Sequence, residues 1–376
     1  MTATLYRPSA AGFDTDRTEV YRRLRDDHPV HRLGEQYLLT RFDDVWAAVH
    51  DWQRFSSAGL AEGAGHQPMM IYMDPPRHRE LRVLVSRAFT PRRVAGLEPR
   101  IRTIARELLD AAGPRADLAG QFAAKLPSRI MAELIGIPEE QRETFRELTE
   151  SFIETDGRTR EESVRRLQRI HDMFDDLLQQ RRRRPADDLM SALLAAEVDG
   201  QRLTDDELQG FCFLLLIAGN DTTTSLIGNG IALLAEHPEQ RAELVADPSL
   251  ITGAVEEMVR LESPTQVLPR RATRDVELHG VTIPEGSRVL LCWGAANLDE
   301  REFADPARFD IHRGAPRHLG FGRGIHFCIG SALAIMEARV AFEELLRHAP
   351  QYRLEADRER YASSWALAWK RLPVSF

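Results

Sequence analysis

The sequence predicts a mainly helical fold with a smaller β region. Three observations carry that expectation. Apolar residues recur at helical spacing along most of the chain, one apolar stretch is long enough to cross the whole molecule as a helix, and strand-like alternation is confined to two short regions. A length of 376 residues is enough for a large core. A hydrophobic content of 43% is ordinary for a globular protein, and a formal charge of −8 excludes a nucleic-acid binder for the chain as a whole.

The elements follow in chain order. The N-terminal stretch up to Arg17 has no apolar segment suited to a signal peptide or membrane anchor, so a soluble, cytoplasmic protein is expected. Residues 31–40, HRLGEQYLLT, read as a hairpin. Thr90-Pro91 is an N-cap followed by proline at the first helical position, and opens a helix through about Ala112. Pro138 opens another. Glu161 to Arg184 keeps Val164, Leu167, Ile170, Phe174 and Leu177 on one face. The longest helix begins at LTDDE, where Thr204 and Glu207 form a capping box, and runs to Glu236, roughly 48 Å at 1.5 Å per residue. Its middle, FCFLLLIAG, is apolar all round and should be buried. Residues 274–293 read as two strands turning at His279-Gly280. No boundary is sharp enough to divide residues 1–376 into more than one domain.

Two stretches fit neither a core nor a surface. Directly after the apolar run comes AGNDTTT. Gly219 costs about 1 kcal/mol relative to alanine in a helix, and Asp221 is an ionisable group placed where burial is expensive unless it is paired. The threonines could bond back to the backbone and form a kink. Alternatively, a carboxyl–hydroxyl pair in a loosened, dry turn could deliver protons. The second stretch is HLGFGRGIHFCIGSALA, residues 318–334. Gly320, Gly322, Gly324 and Gly330 surround Cys328, a composition that weakens strand and helix alike and presents the cysteine to something rather than packing it. Cys212 and Cys292 lie in apolar runs and read as buried small hydrophobes; three widely spaced cysteines make no disulfide framework.

With both stretches in hand, the sequence resembles the cytochromes P-450, the haem-thiolate monooxygenases. FGRGIHFCIG, residues 321–330, fits the family's haem-binding loop at every fixed position, from Phe321 and Gly324 through His326 and Cys328 to Gly330. AGNDTT resembles the oxygen-activation motif of the long distal helix. The resemblance covers nearly the whole chain from Asp74 onward, with the motifs in the family's order. It implies a triangular, mostly α fold that holds haem b between the long helix and the helix following the cysteine loop. It implies Cys328 as the axial thiolate and metal ligand, with Phe321, Gly322, Gly330, Ala218 and Gly219 shaping the cofactor site. Gly324 and Gly330 would let the backbone lie against the macrocycle. Asp221 would be the acid and Thr222 the alcohol. His78, Arg82, Arg270 and His326 would hold the two propionates.

The pair Glu257–Arg260 resembles the family's Glu-x-x-Arg pair. The spacing alone decides nothing, since Glu19–Arg22, Glu139–Arg142, Glu143–Arg146 and Glu162–Arg165 share it and read as surface helix pairs. Arg308 looks like the third member of that network. Departures are small: Leu298 stands where the family often has arginine, and Ala307 precedes Arg308.

The implied reaction inserts one oxygen atom of O2 into an organic substrate. The chain leaves no room for a flavin or iron–sulfur domain after the haem loop, so a separate ferredoxin and ferredoxin reductase are implied. The basic run Arg77, Arg79, Arg82, Arg87, Arg92 and Arg93 offers part of a docking surface for an acidic ferredoxin. A monomer is expected. By family position, Met69, Met70, Leu215, Val267, Leu268 and Trp365 contribute to the substrate pocket, and their apolar character points to a hydrophobic substrate. Two alternatives stand beside this reading: a peroxide-driven peroxygenase, against which Asp221-Thr222 argues, and a non-catalytic scaffold, against which the intact cysteine argues.

Overall fold

In the computed structural model, residues 6, 13–60, 68–149, 160–314 and 317–376 are described. Most of the N-terminal stretch and residues 65–67 of the expected pocket loop lie outside them. In chain order, the first half carries α1 (Phe13–Asp27), β1 (Val30–Leu33), β2 (Gln36–Leu39), α2 (Phe42–His50), β3 (Phe55–Ser56), α3 (Arg77–Ala88), α4 (Pro91–Gly96), α5 (Glu98–Asp110), β4 (Arg115–Asp117), α6 (Lys125–Ile135), α7 (Arg142–Thr149), α8 (Arg160–Arg183) and α9 (Leu189–Ala195). The second half carries α10 (Asp205–Glu236), α11 (Pro238–Ala246), α12 (Ile251–Leu261), β5 (Val267–Ala272), β6 (Val276–Leu278), β7 (Val281–Ile283), β8 (Arg288–Cys292), α13 (Trp293–Ala296) and α14 (Ser331–His348). Four short strands close it: β9 (Arg353–Leu354), β10 (Glu359–Arg360), β11 (Trp369–Arg371) and β12 (Pro373–Ser375).

The long helix forms as expected. The Thr204 hydroxyl accepts from the Glu207 amide, and the Glu207 carboxylate accepts from the Thr204 amide, so two orphan donors at the start of α10 are satisfied. Arg77 of α3 bonds the same carboxylate and ties the two helices together. α10 is long and apolar enough to cross a membrane, yet 61% of its apolar window is buried inside the protein. α14 lies between α5 and α10, and α6 and α12 also pack on α10. The volume between α10 and α14 is where the site lies.

The β region is a five-stranded sheet in the order β1-β2-β8-β5-β3, with smaller sheets beside it. The hairpin at 31–40 forms in register, Val30 opposite Leu39 and Leu33 opposite Gln36. His279 and Gly280 both take positive φ, +51° and +75°, as a two-residue hairpin turn demands.

Four local expectations are corrected. The helix from Pro91 breaks at Leu97 into α4 and α5, because Gly96 weakens the end of one and Pro99 fits only the first turn of the next. After Pro138 a 3₁₀ turn at Glu139–Gln141 precedes α7. On α8, Ile170, Phe174 and Leu177 are buried, but Val164 is 57% exposed. β8 does not continue the β6–β7 hairpin; it runs parallel to β2 and antiparallel to β5 in the larger sheet.

Candidate active site

The cysteine loop is held open by two left-handed residues. Gly322 has φ +64° and Gly324 has φ +66°, conformations that side chains rarely adopt. At Gly324 a β-carbon would also sit 2.3 Å from the Val49 carbonyl of α2, so this glycine seats the loop on α2. The Gly322 amide donates to the Leu319 carbonyl at 2.8 Å, and the Cys328 amide to the Phe321 carbonyl at 3.0 Å, closing the loop around the sulfur. Gly330 is different: within 4 Å its β-carbon would meet only the Cys328 Sγ, so its outer side is open for the close approach the sequence implied. Burial pushes the Cys328 thiol up; backbone N–H groups of Gly330 and Ser331 and the nearby Arg82 charge pull against it. Those amides open α14, whose N-terminal dipole also favours negative charge.

Opposite the loop, α10 presents Ala218, Gly219, Thr222 and Thr223 to the same cavity as Cys328, a space of about 200 Å³ that water can enter. The helix stays continuous through this turn. Thr222 Oγ1 donates to the Ala218 carbonyl at 2.5 Å, so its hydroxyl holds a local bond while facing the cavity. Asp221 is 4% exposed and lies behind the lining; Asn220 Nδ2 donates to its Oδ1 at 3.5 Å. The methyl of Met131 fills the space a side chain at Gly219 would take, with 2.1 Å to an added β-carbon.

At the cavity's edge four basic groups converge. His78 and His326 stand edge-to-face with ring centroids 4.4 Å apart. Both ring nitrogens of His78 and Nε2 of His326 are buried without a hydrogen-bond partner among the described residues. Burial, then the Arg82 charge, takes His78 down to about 4; burial, Arg270 and the neighbouring bases take His326 down to about 2. Burial also lowers Arg270, to about 10. Arg82 donates to the Phe327 carbonyl at 2.6 Å and Arg270 to the Pro269 carbonyl at 2.7 Å, leaving donors on each guanidinium for another acceptor. Three orphaned ring nitrogens between two arginines make a place short of anions. A flat dianionic macrocycle that brings two carboxylates here and a metal to Cys328 fits the donor set.

Behind the loop lies a buried ion network. Arg260, fully buried, gives two bonds to Glu257 at 2.7 and 2.8 Å and two to the carbonyls of Asn297 and Pro306. The same spacing elsewhere gives surface pairs: Arg22 with Glu19 and Arg146 with Glu143 lie in solvent, and Arg142 and Arg165 pair instead with Glu133 and Glu161. The expected third member is corrected. Arg308 is 66% exposed and pairs with Asp310. The residue that reaches Glu257 is Arg313, at 2.9 Å and 11% exposed, which also bonds the carbonyls of Ala304, Asp305 and Arg308.

Of the expected pocket residues, Met70, Leu215 and Leu268 line the cavity. Met69, Val267 and Trp365 do not. Met69 is buried one position before the 3₁₀ turn that points Met70 inward, and Val267 sits on β5 opposite Cys292. Trp365 acts through its backbone, its carbonyl accepting from the Gln266 amide at 2.7 Å. Thr265, in the stretch from Thr265 to Pro269 that the sequence assigned to the pocket, also lines the cavity; the sequence did not single out Phe89, Met131, Phe211 or Glu337, which line it too. For Glu337 a signal existed: it stands seven residues after Gly330, on the face that Leu333 and Ala334 also turn to the cavity. In the basic run, Arg79 and Arg92 are exposed, Arg82 turns inward, and Arg77 and Arg93 are engaged with Glu207 and Asp187. A larger groove of about 830 Å³, near Arg241 and Arg358, is open and does not include the cysteine; Arg241 bonds the Tyr352 carbonyl and Arg358 bonds Glu236.

A family model described as cytochrome P450 matches residues 144–360. A vitamin D(3) 25-hydroxylase of Pseudonocardia autotrophica is 40% identical over 375 residues, covering 94% of this chain and 92% of its own. The solved structure of cytochrome P450 CYP109Q5 from Chondromyces apiculatus superposes with a TM-score of 0.89 at 39% identity, covering 98% of this chain and 97% of that one. CYP109E1 from Bacillus megaterium, solved in complex with corticosterone, superposes with a TM-score of 0.89 at 32% identity, covering 96% and 98%.

Proposed function

Because the chain belongs to the cytochrome P450 family, we propose a specific division of labour in its cavity and a neutral, largely apolar substrate. The enzyme is a haem-thiolate monooxygenase. Haem, when bound, supplies an iron centre that uses O2 and two electrons to place one oxygen atom in an organic substrate and the other in water.

The residues act around it as follows. Cys328 holds the iron through Sγ, and the amides of Gly330 and Ser331 stabilise the sulfur's negative charge. His78, Arg82, Arg270 and His326 hold the propionates. Phe321 and Gly322 keep the loop's shape, and Ala218 and Gly219 leave room on the opposite side. Thr222 holds a proton donor at Oγ1 on the cavity wall. Asp221, buried one residue away, replenishes it. Glu257, Arg260 and Arg313 brace the loop from behind.

The substrate face is made of Met70, Phe89, Met131, Phe211, Leu215 and Leu268, with Thr265 as a polar point. The basic side chains on the cavity, His78, Arg82 and His326, stand at the cofactor edge, so none is left to anchor an anionic substrate. Similarity to a vitamin D(3) 25-hydroxylase and to a P450 solved with corticosterone supports a sterol-sized, neutral molecule. Electrons come from a separate ferredoxin and its reductase, with Arg79 and Arg92 in the docking surface. A cytoplasmic setting is part of this reading, and α10 is packed inside the protein.

The observation that carries this reading is a single cavity with Cys328 on one side, the Thr222 hydroxyl on the other and unpartnered histidines at its edge. The experiment is spectroscopic. The purified protein is expected to show the red-shifted Soret band of a thiolate-ligated haem in its reduced carbon monoxide complex. Neutral steroids are expected to shift the ferric haem to high spin, and their carboxylate derivatives to fail. A preference for the charged compounds would overturn the substrate class.

A further inference from the structure

One buried charge-bearing group has no part in this division of labour. Glu337 projects from α14 into the cavity that Cys328 and Thr222 share. It is 2% exposed, and its Oε2 is buried with no hydrogen-bond partner among the described residues. Among the described residues, no basic group on the elements packed against α14 forms an ion pair with Glu337. On α14, Arg339 and Arg347 bond Glu343 and Glu344. On α5, Arg102 and Arg106 bond the same two carboxylates and Glu98. On α4, Arg93 reaches Asp187 while Arg92 is exposed; on α11, Arg241 bonds the Tyr352 carbonyl. On α12, Arg260 is committed to Glu257, and Glu256 to His318. α10 carries no basic residue, and its acids are Asp205, Asp206, Glu207, Asp221 and Glu236. The remaining charged or titratable groups on the cavity are His78, Arg82, His326 and Cys328. Burial alone pushes the Glu337 carboxyl up to about 8, so near neutral pH it is a protonated acid close to its titration point.

We propose that Glu337 is a proton site linked to the charge of the haem: its carboxylate takes up a proton when the iron gains an electron and releases it when the electron leaves. The balance is one electron from an external one-electron donor and one proton drawn from bulk solvent by way of the cavity, so the net charge of the buried site is kept. The geometry supports the coupling. Gly330, where an added β-carbon would sit 4.0 Å from the Cys328 sulfur, caps α14, and Glu337 lines the same cavity seven residues on, roughly 10 Å along the axis. A unit change of charge at that distance, with an effective dielectric constant of about 20, alters a proton affinity on the order of tenfold. The site differs from Asp221 and Thr222 in kind. Those two deliver protons to the substrate side, whereas Glu337 balances charge.

The inference rests on the haem reading above, and the test separates the two. The midpoint potential of the haem-loaded protein is measured by spectroelectrochemistry from about pH 6 to about pH 9, for wild type and Glu337→Gln. The wild-type potential is expected to fall as pH rises through the neutral-to-alkaline range. The Gln variant, which cannot titrate, is expected to be flat there or to lose most of the slope. A haem protein in which both potentials follow the same pH dependence overturns the proposal alone. A protein with no haem Soret band overturns the haem reading and this inference with it. If Glu337→Gln does not take up haem, the reduced-minus-oxidised infrared spectrum of wild type, with and without ¹³C-glutamate, reads the same event. A labelled protonated-carboxyl band that grows on reduction supports the proposal, and its absence overturns it.

Discussion

Two carboxylates on one helix mark the two kinds of interior this enzyme contains. Glu344, near the end of α14, is bonded by Arg102, Arg106 and Arg347. Burial alone would raise its carboxyl; the bonds from those arginines outweigh that and hold it at about 2. Glu337, two turns earlier, has no such partner and stands at about 8. The same division runs through the site. Behind the cysteine loop the polar groups are matched: Arg260 to Glu257, Asn297 to Leu319, His318 to Glu256. Toward the cavity they are unmatched, as the nitrogens of His78 and His326 show. A matched buried group is scaffold. An unmatched one is kept for what the cavity holds, because an unsatisfied buried group persists at a cost of about 1–3 kcal/mol.

Several substitutions would break or sharpen that contrast. The largest effect is expected at Cys328. Cys328→Ala should abolish the thiolate Soret signature and monooxygenation together, since Cys212 and Cys292 are buried and their thiols are pushed up by burial to about 12 and about 11. A variant that keeps the shifted band would mean another cysteine binds the iron.

Next comes the matched side. Arg260→Ala leaves Glu257 buried beside Arg313 with half its partners gone, and breaking a buried pair costs about 3–5 kcal/mol. Little soluble haem protein is expected, and an unchanged melting temperature would remove the network from the scaffold.

The two α14 carboxylates should then give opposite pH limbs. Glu344 is lowered in the folded state, so its contribution to stability is present above about 4.5 and is lost as pH falls toward about 2. Glu337 is raised, so the folded chain holds its proton more tightly than the unfolded chain does. Stability therefore falls as pH rises from about 4.5 toward about 8. Thermal melts against pH should lose the limb below about 4.5 in Glu344→Gln and the decline between about 4.5 and about 8 in Glu337→Gln. Swapped or unaffected limbs would contradict the contrast.

Thr222→Ala touches the unmatched side with almost no effect on folding, since the lost hydroxyl bonds only the helix's own Ala218 carbonyl and alanine is the better helix former. Electron consumption should continue while product per electron pair falls several-fold and peroxide rises. Donor oxidised against product formed decides it; equal coupling in both proteins would leave Thr222 a purely structural residue.

Much of this was legible before any coordinates. The capping box of α10, the hairpins and the cysteine loop are local: their residues decide their own backbone, and the sequence displays them directly. The buried status of Glu257–Arg260 was not local, since four other pairs share its spacing and only packing distinguishes them. The break at Leu97 followed from Gly96 and Pro99 but was masked by continuous helical periodicity. Pocket lining was half legible, because a register of one residue decides whether Met69 or Met70 faces inward. Glu337 was overlooked because a lone glutamate in a helix is normally a solvated one.

The smallest expected effect tests where sequence reading and geometry part company. By position in the sequence, Arg308 was the third member of the bracing network. In the fold it points to solvent, its partner Asp310 only two residues away, and an exposed pair of that kind contributes about 0–1 kcal/mol. Five residues on, Arg313 carries the bonds to Glu257 and to three carbonyls of the same loop. The two arginines are thus close in sequence, alike in charge and opposite in matching. Arg308→Ala should leave haem occupancy and melting temperature nearly unchanged, within about 0.5 kcal/mol as for other surface substitutions. Arg313→Ala should lower both, approaching Arg260→Ala, because it strands part of the Glu257 carboxylate and three loop carbonyls at once. Arg313→Lys should recover little, since a single ammonium cannot span a carboxylate and the separate carbonyls that the planar guanidinium reaches. Haem content and thermal melts of the three variants, purified side by side, settle the assignment. If Arg308→Ala loses haem while Arg313→Ala keeps it, the sequence position was right and the geometry of this loop is wrong.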